Sequence, residues 1–249
     1  MKVMVTGASG FIGDQIIRYL LKKNIEVIAS SYDQKKARTF EWFDKVKFLE
    51  FDINDSSGYK NNLFEYFASP DKLIHLSWEN LPNYKELFHF EKNLFSDYCF
   101  LKKLISDGLK DLTVAGTCLE YGMVNGCLKE SLTADPKNPY AIAKDTLRKF
   151  IEQLNNENKF SFKWIRLFYI YGKGQSDKSL YSQMEKAVLN NSKEFRMSGG
   201  EQLRDFLPVE KVSENLTEIS LQNTITGIIN CCSGQPQSVR SFRLQNFGS

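Results

Sequence analysis

The sequence predicts a doubly wound α/β fold, a parallel sheet with helices on both faces, carrying a small C-terminal lobe. Short β-rich runs alternate with longer helical patterns along most of the chain, which is how strands joined by crossover helices read. Three glycines spaced three apart separate the first strand-like run from the first helical one. Beyond Gly172 the alternation loosens. Strands are expected over Lys2–Thr6, Glu26–Ala29, Lys47–Phe51, Leu73–Leu76, Leu112–Ala115, Lys163–Leu167 and Gly227–Cys231. After the first, "FIGDQIIRYLLKKN" sets Ile12, Ile16 and Leu20 at helical spacing, with Lys22 and Lys23 in the last turn. A long pattern rich in Phe and Leu predicts a helix from Tyr84 to Gly108. Another is expected over Pro139–Asn155, opened by Asn138 as cap and Pro139 in the first turn. Both are more apolar than a helix covering only its own sheet requires, which predicts a second subunit against them. "GGEQLRDFLPVEKV" adds a strand-like piece to the lobe. The expected division is residues 1–170 for the sheet domain and 171–249 for the lobe, interleaved with the last sheet strand.

The 249 residues are 42% hydrophobic and 25% charged, with a formal net charge of +3. That charge is too small to argue for nucleic acid or a membrane surface, and no apolar stretch is long enough to span a bilayer. Five cysteines without a CxxC pair read as reduced thiols in a cytoplasmic protein, not as a disulfide frame or metal site. The N-terminus enters a strand-like run at once, so no targeting segment is expected.

"VTGASGFIG" places Gly7, Gly10 and Gly13 directly after the first strand and at the mouth of the first helix. So tight a turn needs positive φ, and a pyrophosphate reaches backbone only where no Cβ intervenes. The helix N-terminus then offers free N–H groups to the phosphates. The expected cradle is Gly7, Ser9, Gly10, Phe11, Ile12 and Gly13, and the expected ligand a dinucleotide. An acidic residue at the end of the second strand would grip the adenosine ribose of NAD. Here Ser30 and Ser31 stand there, with Lys35, Lys36 and Arg38 just beyond and Asp33 set too far along. This favours NADP over NAD, with Ser31 at the ribose. Asp52 and Ile53 close the third strand, where an adenine amine needs an acceptor.

In "NPYAIAKD", Tyr140 and Lys144 are four apart and would share one helix face. Together with "TGASGFIG", "LIHLSW", "GTCLEYG" and "RDFLPVEKV", this stretch makes the chain resemble the extended short-chain dehydrogenases/reductases. Within them it is most similar to the NAD(P)-dependent sugar-nucleotide epimerases, dehydratases and 4-ketoreductases, and the motifs match in order over nearly the whole chain. The resemblance implies a Rossmann sheet with a substrate lobe, a homodimer, and Thr117, Tyr140 and Lys144 as catalytic Ser/Thr, Tyr and Lys. It also implies cofactor contacts from Leu76, Ser77, Asn93, Tyr140 and Lys144, and substrate contacts from Thr117 and Arg204, the arginine meeting the diphosphate. Elementary chemistry agrees. Reducing a ketone builds negative charge on oxygen, which needs a proton donor and a hydrogen-bond partner. An ammonium about 4 Å away in an effective dielectric near 20 is worth about 4 kcal/mol, enough to draw the Tyr140 phenol down towards neutrality.

The resembling 4,6-dehydratases carry Asp and Glu directly after the catalytic Thr; here stand Cys118 and Leu119. Glu120 falls one residue late and is expected on the other face of the strand. Epimerising reductases of the GDP-fucose type place a Cys where this chain has Leu119, so Cys118 is expected to pack. What remains is hydride transfer at one sugar carbon. A reductase of nucleotide-activated 4-keto-6-deoxyhexoses, serving surface-polysaccharide sugar synthesis, comes first, and a 4-epimerase second. Tyr169 stands where many relatives have Asn. His75 and His89 lack metal-ligand partners, and His75 is expected as a satisfied core residue near the cofactor. Relatives usually continue past "NCCSGQPQSV" for several elements, so an open substrate side is expected. A dinucleotide-binding sensor without turnover is therefore a third possibility.

Overall fold

The computed structural model describes residues 1–249 except 56, 58, 60, 193, 196–198, 248 and 249. In chain order come β1 (Lys2–Thr6), α1 (Phe11–Lys22), β2 (Glu26–Ser31), α2 (Gln34–Ala37), β3 (Lys47–Glu50), α3 (Leu63–Tyr66) and β4 (Lys72–His75). They are followed by α4 (Leu94–Asp107), β5 (Asp111–Thr117), α5 (Pro139–Glu157) and β6 (Ser161–Leu167). The rest is β7 (Tyr169–Tyr171), α6 (Leu180–Leu189), β8 (Leu203–Arg204), β9 (Phe206–Pro208), α7 (Val209–Leu221), β10 (Gly227–Cys231), β11 (Gln237–Ser238) and α8 (Val239–Phe247).

Seven strands form one sheet in the order β10-β6-β5-β4-β1-β2-β3, each neighbouring pair parallel. The winding reverses between β1 and β4, and such a reversal leaves a crevice at the C-terminal ends of the two strands. Alternate side chains feed opposite cores, as strand geometry requires. Met4 and Leu73 pack on one face with Leu101, Leu104, Leu147 and Ile151 of α4 and α5. Val3, Val5 and Ile74 pack on the other with Ile16 and Leu20 of α1 and Val212 and Leu216 of α7. Outside the sheet, β7 pairs with β9 in parallel and β8 with β11 antiparallel. There Phe242 of α8 stacks on Phe206 at 4.0 Å and meets Tyr171 edge-on at 4.8 Å.

β1 and β10 have the expected bounds. β2 and β5 run on to Ser31 and Thr117, so both residues end sheet strands, whereas β3 stops at Glu50 and β4 at His75. Asp52, Ile53, Leu76 and Ser77 therefore lie on the loops that follow. The helix expected from Tyr84 becomes α-helical only at Leu94, preceded by a π-type turn over His89–Asn93. Among the described residues no helix is long and apolar enough to cross a membrane.

Candidate active site

The glycine loop is built for close approach. Gly7 has φ +66, and a Cβ on it would stand 3.0 Å from the backbone of Leu76 and Ser77. A Cβ on Gly13 would lie 2.3 Å from the Gly7 carbonyl oxygen, and one on Gly10 3.0 Å from it. Gly10 is the N-cap of α1 and no side chain caps that terminus, so the orphan first-turn donors, among them Phe11 and Ile12, are available to an anion. These features fit the pyrophosphate of a dinucleotide.

At the end of β2 the buried Ser31 hydroxyl is 2.8 Å from that of Ser9 and accepts from Asp33 N at 3.1 Å. The Asp33 carboxylate caps α2 by accepting from Lys36 N, so its use is local. Asp52 is likewise engaged, accepting from Asn54 N at 2.9 Å and Asn54 Nδ2 at 3.0 Å. Asn93 is buried and donates to the Glu79 carbonyl. Of the predicted cofactor residues, Gly7, Ser9 and Gly10 lie on the loop after β1, Ser31 ends β2, Asp52 and Ile53 follow β3, and Leu76 and Ser77 follow β4. Phe11, Ile12 and Gly13 open α1, Asn93 ends the turn before α4, and Tyr140 and Lys144 are on α5.

Thr117 ends β5, and its hydroxyl accepts from Leu119 N at 3.2 Å. Asn138 Oδ1 accepts from Ala141 N and starts α5, which carries Tyr140 and Lys144, both buried. The Tyr140 amide donates to the Tyr84 carbonyl, fastening the segment after β4 onto this helix. Around the phenol stand the rings of Trp78, Tyr84 and His89, at 6.0, 5.4 and 5.3 Å. Burial pushes the Tyr140 phenol up, with the Thr117 hydroxyl pulling the other way. Lys144, expected to draw the phenol down, does not reverse this shift. Instead the Lys144 Nζ lies over the Trp78 ring, 4.2 Å from its centroid, and burial lowers its own pKa to about 8. Desolvation outweighs the pairwise attraction here.

Glu120 does not lie on a strand face. It folds back from the 3-10 turn Cys118–Tyr121 into the interior, where it accepts from Arg166 Nε at 2.7 Å, Trp164 Nε1 at 2.9 Å and Thr117 N at 2.8 Å. Cys118 is buried, and burial pushes its thiol up to about 12, which makes it a packing residue. His75 is satisfied on both sides, by Asp97 at 2.5 Å and the Thr6 hydroxyl at 2.9 Å.

Arg204 forms no ion pair with Asp205, whose carboxylate accepts from Ser233 N and Gly234 N. Its guanidinium lies over the Tyr169 ring at 4.9 Å. Tyr169 thus serves as a platform for the arginine. The aromatic cage of Trp78, Tyr84 and His89 escaped the sequence reading, although "SWENLPNYKELFHF" is dense in aromatic residues.

Residues 3–232 match the family described as the NAD dependent epimerase/dehydratase family. A dTDP-6-deoxy-L-talose 4-dehydrogenase (NAD(+)) of Aggregatibacter actinomycetemcomitans is 30% identical over 97% of this chain and 87% of its own length. A GDP-6-deoxy-D-talose 4-dehydrogenase of the same organism is 25% identical over 96% and 76%. In fold, the chain is similar to a Thermotoga maritima UDP-glucose 4-epimerase solved with UDP-glucose, with TM-score 0.82 and 21% identity over 97% of this chain and 80% of that one. A Thermus thermophilus UDP-glucose 4-epimerase solved with NAD gives 0.81 and 22% over the same shares. With its parallel sheet, glycine cradle and matched span, the chain belongs to the NAD dependent epimerase/dehydratase family and is an NAD(P)-dependent oxidoreductase or epimerase.

Proposed function

We propose that this chain reduces a nucleotide-activated 4-keto-6-deoxyhexose at C4. The observation that carries the reading is that Thr117 at the end of β5 lies beside Tyr140 of the helix that also bears Lys144, while the three residues after Thr117 offer no second acid–base pair. Cys118 is held as a thiol, Leu119 cannot titrate, and Glu120 is locked to Arg166. Elimination would need such a second acid–base pair, whereas ketone reduction needs one proton. The cradle of Gly7, Gly10 and Gly13 would hold a dinucleotide, which would supply the hydride. The Tyr140 phenol, kept protonated by burial, gives its proton to the sugar oxygen while the Thr117 hydroxyl hydrogen-bonds the same atom. The Lys144 ammonium offsets the charge left on the phenol oxygen. Two relatives named as 6-deoxytalose 4-dehydrogenases carry out chemistry at the same sugar carbon, by their names.

The small sheets β7–β9 and β8–β11 with α6 and α8 form the substrate lobe of this reading, and Arg204 on its Tyr169 platform meets the diphosphate. NADP is favoured, because the end of β2 offers a hydroxyl and the Asp33 carboxylate just beyond it caps α2; the relative named for NAD(+) makes NAD the alternative. Phe95, Ile142 and Phe150 leave exposed apolar surface on α4 and α5, which supports a homodimer across these helices. A second reading, 4-epimerisation, is favoured by a UDP-glucose 4-epimerase of Halalkalibacterium halodurans, 26% identical over 69% of this chain and 52% of its own length. The test is incubation with 4-deuterated NADPH or NADH and dTDP-, GDP-, CDP- and UDP-linked 4-keto-6-deoxyhexoses. Deuterium at C4 of the product, with stoichiometric cofactor oxidation, is expected. Interconversion of 4-hydroxy sugars without net oxidation would make the chain an epimerase instead.

A further inference from the structure

We propose that Trp78 is a positioning residue for Lys144, its indole face holding the ammonium in place for the dinucleotide and for Tyr140. This rests on reading Tyr140 and Lys144 as the reacting pair. The Lys144 Nζ is 4.2 Å from the Trp78 ring centroid and 5.7 Å from that of Trp164, so Trp78 is the nearer of two indoles it faces. The carboxylates that act on it, Asp97 of α4 and Glu120 of the turn after β5, are committed to His75 and Arg166. The other titratable groups are Tyr140, one turn away on its own helix, and His89, which burial disfavours as a cation. An ammonium on a flexible four-carbon stem is therefore oriented by an aromatic face and not by an ion pair.

Trp78 is itself held rigidly. Its Nε1 donates to His89 Nδ1 at 3.1 Å and its ring stacks on His89 at 6.2 Å, while His89 Nε2 donates to the Asn83 carbonyl at 3.1 Å. Its ring meets Tyr140 edge-on at 6.0 Å. One side chain on the loop after β4 thus contacts both Tyr140 and Lys144. Trp164 is farther from the ammonium and spends its N–H on Glu120.

The test is a double-mutant cycle read as dinucleotide affinity, with NADPH and NADH titrated into wild type, W78L, W78F, K144M and W78L/K144M. W78L is expected to weaken binding about as much as K144M, on the order of tenfold, and the double variant to bind no worse than K144M alone. W78F, which keeps a ring without the N–H, should return to within about twofold of wild type. Losses that multiply in the double variant, or a W78L that binds both dinucleotides like wild type, overturn the proposal. Should W78L not fold, W78M and W78M/K144M close the same cycle with the ring again removed: the W78M loss vanishes beside K144M, or the proposal falls. A wild type that binds dinucleotide yet turns over no sugar nucleotide would sink the proposed reaction, and the cycle would still decide the role of Trp78.

Discussion

Arg166 Nε donates to Glu120 Oε2 at 2.7 Å, and both side chains are buried. This pair fixes the turn that carries Thr117, because the same carboxylate accepts from the Thr117 amide. Removing one partner of a buried pair leaves the other charge uncompensated. Glu120→Ala should therefore lower stability by about 3–5 kcal/mol, measured by urea unfolding. Wild type should show no dehydration of a nucleotide hexose; formation of a 4-keto-6-deoxy product from one would contradict the structural role of Glu120.

Lys144 is buried over Trp78, and the nearby acids Asp97 and Glu120 are engaged by other partners. Methionine has nearly the same length and no charge to desolvate. Lys144→Met should cut turnover by about a hundredfold or more while raising stability by about 1–2 kcal/mol. At about 2–4 °C per kcal/mol for a chain of this size, the change is readable in a thermal melt. A variant both inactive and less stable would contradict the strained burial of this ammonium.

The pH dependence follows from the same group. Its pKa falls to about 8 from the usual 10.5 by burial, so the native protein sheds a proton that the unfolded chain keeps across that window. The contribution of Lys144 to stability thus rises with pH between the two values and is lost as pH falls through about 8. Activity runs the other way, because the ammonium is needed. Reduction should fall above pH about 8, with no loss below it from Tyr140, whose phenol burial keeps protonated. Oxidation of the alcohol, which needs the phenol as base and the same ammonium, should rise with pH up to about 8 and no further. A profile for reduction that climbs through pH 8–10 would contradict these assignments.

Gly13 tests the cradle. A Cβ there would stand 2.3 Å from a backbone oxygen, and no rotamer can relieve that contact. Gly13→Ala must shift α1 against the glycine loop, at a cost of about 1–3 kcal/mol, and should weaken dinucleotide binding at least about tenfold. Unchanged affinity in an equilibrium titration would mean that the phosphates bind elsewhere.

Much of this was readable before any coordinates. Strands β1 and β10 were legible to the residue because short runs rich in apolar residues and bounded by turn residues have few alternatives. The glycine spacing and the Tyr140–Lys144 pair are local patterns and fall where expected. The start of α4 was not legible. The pattern from Tyr84 suits a helix, yet Tyr84 is drawn to Tyr140, and His89 and Asn93 spend their polar groups on Trp78, Asn83 and Glu79. Those partners come from the loop after β4 and from another helix. The fate of Glu120 was hidden for the same reason, since strand periodicity says nothing about a carboxylate that turns back to meet Arg166.

The measurement that bears most directly on the central claim is single-turnover loss of reduced nicotinamide with a nucleotide 4-keto-6-deoxyhexose, in wild type and Tyr140→Phe. The account predicts stoichiometric oxidation in wild type and a rate lower by about two to four orders of magnitude in the variant, with dinucleotide affinity retained. Equal rates in the two proteins would remove Tyr140 as the proton donor and contradict the account.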